Sequence, residues 1–346
     1  SSSTMASFSG ILRRAPLPAV ATYIYQTQKS ACEAEKPAIK PEKADILPPK
    51  SSEDVGAPRT RREKEETYHG LLPRSQLFQP KVEYPLWDDD WDGKKPPSTG
   101  DKEADRERMR HIRKTGVTRH IILVRHGQYD ETYKDDEKRV LTDLGRKQAD
   151  LTGKRIAEMI RGAEHGTFGP CKVKVVRVSN LFRAKETADI IAQSLPRVER
   201  ADPDPLLNEG RPAHTIPGGT ARPSIVETVA LHHPRIEEAY HKYFYRAPFE
   251  EEEEGPEEDN SEEGEEQEKN LHEFEIIVCH ANVIRYFLCR ALQLPPEAWL
   301  RLCTFNCSLT YLTIRPSGSV SCRMLGDIGH IPYDMTTFSR HEGFNW

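Results

Sequence analysis

At 346 residues with 36% hydrophobic content, the chain has apolar material for one α/β domain plus flanking segments rather than two full domains. Its seven cysteines, an odd number without a C-x-x-C pair, argue against a disulfide framework; Cys303 and Cys307 lie four apart, but no histidine pair joins them at zinc-finger spacing. The formal net charge of −5 is lopsided: residues 250–268 hold thirteen acids and no base, so the remainder carries +8, a mild basicity that suits phosphorylated substrates and gives no reason to expect nucleic acid.

In chain order, Ser7 to Gln28 contains Arg13 and Arg14, a short mixed apolar run and no acid, so residues 1–31 read as a mitochondrial targeting segment. The apolar run near Pro16 to Tyr25 is far too short to span a bilayer, and the residues before Met5 suggest an altered or incomplete N-terminus. Residues 32–114, rich in proline, lysine and glutamate, read as a disordered linker. Within it sits Trp87-Asp-Asp-Asp-Trp91-Asp92. Two tryptophans in a polar segment are costly to leave in water, so Trp87, Asp88, Trp91 and Asp92 are expected to dock on a neighbouring subunit and build a homo-oligomer. The alternative is a segment folded back onto its own domain.

Residues 115–346 read as the catalytic domain. The run His120-Ile-Ile-Leu-Val124 predicts a buried parallel strand that delivers Arg125, His126 and Gly127 at its carboxyl end, where open α/β sheets bind ligands. A helix follows from Thr142 to Arg161, capped at Thr142, with Gly153 marking close packing. A second strand, Val173 to Val178, leads into a helix over Leu181 to Ser194 that carries Arg183. Glu209 ends a short apolar stretch, Leu206-Leu-Asn-Glu-Gly210, and a helix is expected from Ser224 to Tyr245. The acidic run at 250–268 is too charged and too poor in apolar residues to fold, and reads as a disordered insertion. Phe274 to Cys279 repeats the strand pattern and delivers His280, followed by a helix-period segment; strands around Ser308 to Ile314 and Val320 to Leu325 close the chain. This alternation predicts a three-layer α/β/α sandwich with a mainly parallel sheet.

Two histidines and two arginines at one sheet rim suit phosphoryl transfer. A neutral imidazole, His126, can divide phosphate-ester hydrolysis into two displacements by taking the phosphoryl group onto its own nitrogen. Arg125, Arg183 and His280 would supply donors to the equatorial oxygens, so neither metal nor cofactor is called for. Glu209, or alternatively His280, would protonate the leaving oxygen. Arg183 could instead pair with Glu186 on a helix surface. Cys279 and Arg285 satisfy the Cys-x5-Arg spacing of cysteine-dependent phosphatases, but the intervening HANVI lacks glycine and suits a helix better than a phosphate loop.

LVRHGQ, SNLFRAKETA, LLNEG and VCHANVIR, in this order and spacing, resemble the histidine phosphatase superfamily, the one named for phosphoglycerate mutase. The longer stretches VCHANVIRYFLCRALQLPPEAWLRL, GDIGHIPYD and WDDDWD resemble its mitochondrial protein phosphatases, over about Trp87 to the C-terminus without the acidic run. The resemblance implies hydrolysis of phosphoserine and phosphothreonine in proteins, with phosphohistidine a further candidate, and assembly through the Trp-Asp motif. It also implies an N-terminal membrane helix, of which no spanning segment is seen here. A small-molecule phosphomonoesterase or mutase of the same fold is the enzyme alternative, a mitochondrial scaffold acting by partner binding the alternative from another class, and the cytoplasm the alternative location.

Overall fold

The computed structural model of the chain describes residues 67–68, 72–73 and 87–338, apart from 170, 196–197, 216–221 and 250–270. The expected targeting segment at 1–31, most of the linker and the acidic insertion therefore lie outside the described residues. The chain divides after Val82. In the first unit Thr67–Tyr68 pairs antiparallel with Leu72–Pro73; everything that follows belongs to the second.

The linker expected to run to residue 114 is corrected at its end. Helix α1 spans Lys102–Thr115. The Asp101 carboxylate accepts from the Glu103 N–H at its start, Glu103 and Asp105 occupy the first turn, and Arg113 and Lys114 the last, which is the polarity a helix dipole favours. Only Ile112 is buried, so almost no apolar periodicity marked this segment as a helix.

A six-stranded sheet fills the centre of the second unit: β1 (Thr118–Arg125), β2 (Cys171–Val178), β3 (Glu199–Arg200), β4 (His272–Cys279), β5 (Leu309–Ile314) and β6 (Val320–Asp327), in the order β3-β2-β4-β1-β5-β6. The pairings β3·β2, β2·β4 and β4·β1 are parallel, whereas β1·β5 and β5·β6 are antiparallel, so only β5 runs against the rest. Strand alternation splits the core in two. Ile121 and Leu123 of β1, with Ile277 and Cys279 of β4, pack beneath α4 (Pro223–Tyr243) and α5 (Ala281–Ala291). Ile122 and Val124, with Ile276 and Val278, pack beneath α2 (Asp143–Ala163) and α3 (Phe182–Gln193). Because both faces are covered, the central strands read as continuous apolar runs. Among the described residues no helix is long and apolar enough to cross a membrane.

Thr142 caps α2 through its hydroxyl, as its sequence predicts. Gly153 also has its expected role: a Cβ there would lie 3.0 Å from the Ile191 backbone of α3. Gly127 is held to glycine by packing as well. A Cβ on it would meet the Gly145 carbonyl oxygen at 2.7 Å, and one on Gly145 would overlap the Gln128 carbonyl at 1.9 Å. The two glycines let the loop after β1 lie directly on the first turn of α2, which fixes the direction in which His126 leaves the strand.

Candidate active site

Parallel register brings the two histidines together. Arg125 and Cys279 are opposite each other at the ends of β1 and β4, and the His126 N–H donates to the Cys279 carbonyl at 3.0 Å. The next residue of each chain segment is therefore a histidine at the same rim, and the two imidazole centroids lie 5.1 Å apart. Both are buried, His126 at 2% exposure and His280 at 0%. His280 immediately precedes α5.

Their partners assign their tautomers. His126 Nδ1 lies 2.8 Å from the Gly127 carbonyl oxygen, which can only accept, so Nδ1 carries the proton and Nε2 the lone pair. Arg183 Nε donates toward that lone pair at 3.4 Å. For His280, the Asn180 N–H donates to Asn208 Oδ1 at 3.0 Å and fixes that atom as an acceptor. The Ser179 hydroxyl, 2.8 Å from the same oxygen, must then donate to it. Ser179 Oγ is left to accept from His280 Nε2 at 2.8 Å, so His280 bears its proton on Nε2. Its buried Nδ1 has no partner among the described residues. Burial, reinforced by Arg183, His280 and Arg125, holds His126 well below its ordinary pKa of 6.5; burial with Arg183 and Arg125 does the same to His280. Both rings are neutral near pH 7.

The expected arginines surround this pair. Arg125 is buried, and its guanidinium donates to the Thr304 carbonyl at 2.8 Å. Arg183 stands in the first turn of α3, pairs with Asp136 at 3.3 Å and lies 4.8 Å over the Tyr129 ring, whose edge meets His126 at 5.1 Å. The alternative pairing of Arg183 with Glu186 is not formed, since Glu186 holds Arg146 at 2.7 Å and the Leu141 N–H. Glu209 follows the short 3-10 turn Pro205–Leu207, in a loop tied to the rim by Asn208. Burial raises its pKa above the ordinary 4.5, although the Gly210 N–H and the charges of Arg183, Arg125 and Arg285 pull the other way. A protonated Glu209 beside neutral histidines is the state a general acid requires.

The rival cysteine site does not form. Cys279 is wholly buried in the core beneath α4 and α5, and burial pushes its thiol far above the range in which a thiolate exists near neutral pH. Arg285 is buried nearby and donates to Asn282 at 3.2 Å.

Ser179, Asn208 and Tyr129 are site residues that sequence reasoning missed. The first two stand inside SNLFRAKETA and LLNEG, but only spatial proximity reveals their link to His280.

The Trp-Asp segment makes contacts within the second unit. Trp91 packs against Tyr240 at 6.3 Å, its indole N–H donates to the Gly318 carbonyl at 2.8 Å, and Asp92 is buried in a 2.7 Å ion pair with Arg246. The Asp88 N–H and carbonyl both bond to Gln293. In the single chain these groups find their partners on the domain that follows them. Burial alone would raise the Asp92 pKa; hydrogen bonds and charge from Arg246 outweigh it and keep the carboxylate ionised. Trp87 is more exposed, at 37%.

The sequence that carries this site matches known proteins. The family model described as histidine phosphatase superfamily (branch 1) matches residues 121–214 and 231–326, which include Arg125, His126, Arg183, Glu209 and His280. The Caenorhabditis elegans protein named serine/threonine-protein phosphatase Pgam5, mitochondrial, is 40% identical over 260 residues, 73% of this chain and 81% of the relative. The Xenopus laevis protein named serine/threonine-protein phosphatase PGAM5, mitochondrial, is 42% identical over 257 residues, 71% of this chain and 82% of the relative. A solved structure described as a phosphoglycerate mutase from Plasmodium falciparum is 35% identical and covers 63% of this chain and 96% of its own, with a TM-score of 0.39. With a family model spanning more than half of its length and curated relatives aligned over most of theirs, the chain belongs to the histidine phosphatase superfamily.

Proposed function

We propose that the chain is a phosphatase of phosphoserine and phosphothreonine in proteins, working through a phosphohistidine on His126 and needing no metal. The observation that carries this reading is the fixed His126 tautomer: the Gly127 carbonyl holds the Nδ1 proton, so the Nε2 lone pair faces a rim occupied by Arg183 and His280. Nε2 attacks phosphorus as the P–O ester bond breaks, and Glu209 gives its proton to the departing alkoxide. The imidazole becomes cationic as it bonds phosphorus, and the Gly127 carbonyl stabilises the N–H that carries this charge. Arg125 and Arg183 supply fixed positive charge to the equatorial oxygens, the task a metal would otherwise perform. His280 meets the phosphoryl group with Nδ1, either accepting a proton from the phosphate monoanion or taking one up to become a donor. Water then attacks phosphorus, the Glu209 carboxylate removes its proton, and His126 leaves neutral.

The protein substrate is carried over from the relatives, which are named serine/threonine-protein phosphatases, and so is a mitochondrial location. The test is dephosphorylation of phosphoserine and phosphothreonine peptides, and separately of phosphoglycerates, by wild type and His126→Ala in EDTA. Peptide turnover lost in the variant is the expected result. Turnover of phosphoglycerates alone moves the assignment to metabolism, and activity surviving in the variant overturns the mechanism.

A further inference from the structure

Arg139 stands at the end of the short 3-10 turn Asp136–Lys138, and the active site described above makes no use of it. Its guanidinium lies 5.2 Å over the ring of Tyr129, the same ring that Arg183 covers at 4.8 Å and that touches His126 at 5.1 Å. Several arginines elsewhere in the domain are matched by a carboxylate: Arg119 has Glu275, Arg246 has Asp92 and Arg290 has Glu237. Arg139 is half-buried, its guanidinium lies over the face of a ring, and its buried Nε has no hydrogen-bond partner among the described residues. A cation–π contact offsets part of the desolvation of a guanidinium but leaves the buried Nε–H without an acceptor. An arginine so placed has room for an oxyanion.

The transferred phosphoryl group already has Arg125, Arg183 and His280 around it. Arg139 is two steps of about 5 Å from the nucleophile's ring, by way of Tyr129, which is the reach of a side chain one residue along an extended peptide. We propose that Arg139 is a substrate-binding residue that holds the carboxylate of an acidic residue flanking the phosphoserine or phosphothreonine. This rests on the reading of the chain as a protein phosphatase. An adjoining cleft of about 510 Å³, lined among others by Tyr129, Asp130, Glu131 and Phe338, carries the opposite charge. The two flanks of the phosphoresidue therefore differ: acid is accepted beside Arg139 and disfavoured in the cleft.

The test compares kcat/KM of wild type, Arg139→Gln and Arg139→Lys on phosphoserine peptides with Ala, Glu or Lys placed before or after the phosphoresidue, alongside p-nitrophenyl phosphate. Wild type is expected to favour Glu over Ala at one flank by roughly tenfold, the scale of one charge-assisted hydrogen bond. Arg139→Gln erases that preference through KM, with kcat and p-nitrophenyl phosphate turnover unchanged, and Arg139→Lys restores part of it. A Glu preference that survives in Arg139→Gln, or no preference in wild type, overturns the proposal. Equal loss on p-nitrophenyl phosphate overturns it too, because the oxyanion would then be the phosphoryl group itself. Hydrolysis of p-nitrophenyl phosphate without peptide turnover by wild type sinks the protein-phosphatase reading, and this proposal with it.

Discussion

Strands β1 and β4 carry two buried charged clusters that obey different rules. In the body of the sheet Arg119 donates to Glu275 at 3.1 Å through Nε and to the Tyr243 and Tyr245 carbonyls, while the other Glu275 oxygen takes Arg177 at 3.1 Å. Burial alone would raise the Glu275 pKa, but the charge of Arg119 and the hydrogen bonds of both arginines outweigh it and keep it ionised. At the carboxyl end of the same strands, Arg125, Arg183 and Arg285 act on the partly buried Glu209, a carboxyl that is itself pushed toward its neutral form, and Asp136 pairs with Arg183 alone among them. A cluster that only holds the fold together satisfies its charges internally. One that awaits a phosphate dianion keeps positive charge in excess.

That contrast gives opposite outcomes on mutation. His126→Ala is expected to lower kcat/KM by at least about 10⁴-fold, the scale of losing a nucleophile, with thermal stability unchanged or higher. Glu275→Leu is expected to do the reverse. It leaves Arg119 and Arg177 buried without a carboxylate, so urea denaturation should show a loss of about 3–5 kcal/mol while kcat per folded molecule holds. A large stability loss in His126→Ala together with a small one in Glu275→Leu would erase the distinction.

A subtler break is Ser179→Ala. Without the hydroxyl, nothing on that side fixes the proton on His280 Nε2, and the ring is free to take the other tautomer. Loss of such an orienting partner is expected to lower kcat/KM by roughly 10–100-fold, with little change in melting temperature. Ser179→Thr, which keeps the hydroxyl, should recover much of the loss; an unaffected Ser179→Ala would show that the tautomer does not matter to turnover.

Glu209→Gln sharpens the acid–base half of the argument. Because burial raises the Glu209 pKa, the acid form needed for leaving-group protonation persists above pH 4.5 and is lost as pH rises through the raised value. The alkaline limb of the wild-type kcat/KM profile should therefore disappear in Glu209→Gln. Activity should fall least with p-nitrophenyl phosphate, whose leaving group needs no proton. An unchanged alkaline limb would move the role to His280.

The sequence made the sheet, its flanking helices and five site residues legible because each depends on local pattern. Apolar runs end in Arg125-His126 and Cys279-His280, and parallel pairing then leaves little freedom in where the two rings meet. Helix α1 was invisible because Ile112 alone is buried along its 14 residues. Ser179 and Asn208 were invisible as functional residues because their role is a relay across 29 residues of chain. The surroundings of Trp91 in the single chain, the Tyr240 ring and the Gly318 carbonyl, could not be read from the sequence because they come from distant parts of the domain. Hydrophobic cost announces that a tryptophan is covered, not by which chain.

The smallest expected effect separates the two clusters by pH. His126 has a folded pKa well below 6.5, so its stability contribution is intact above pH 6.5 and is lost as pH falls toward the folded value. By pH 6 that loss amounts to about 0.8 kcal/mol for a histidine that stays neutral when folded but titrates normally when unfolded. Glu275, held below 4.5, contributes nothing over this interval, since its stabilisation is present above 4.5 and fails only as pH drops further. Glu209 acts in the opposite sense, its raised pKa favouring the fold as pH falls, but it does so in wild type and His126→Ala alike. Denaturation at pH 7.5 and 6 should therefore show a shallower acid slope in His126→Ala than in wild type, and the wild-type slope in Glu275→Gln. Equal slopes in wild type and His126→Ala would mean that His126 takes up its proton alike in the folded and unfolded protein, so that burial does not keep the ring neutral as the mechanism assumes.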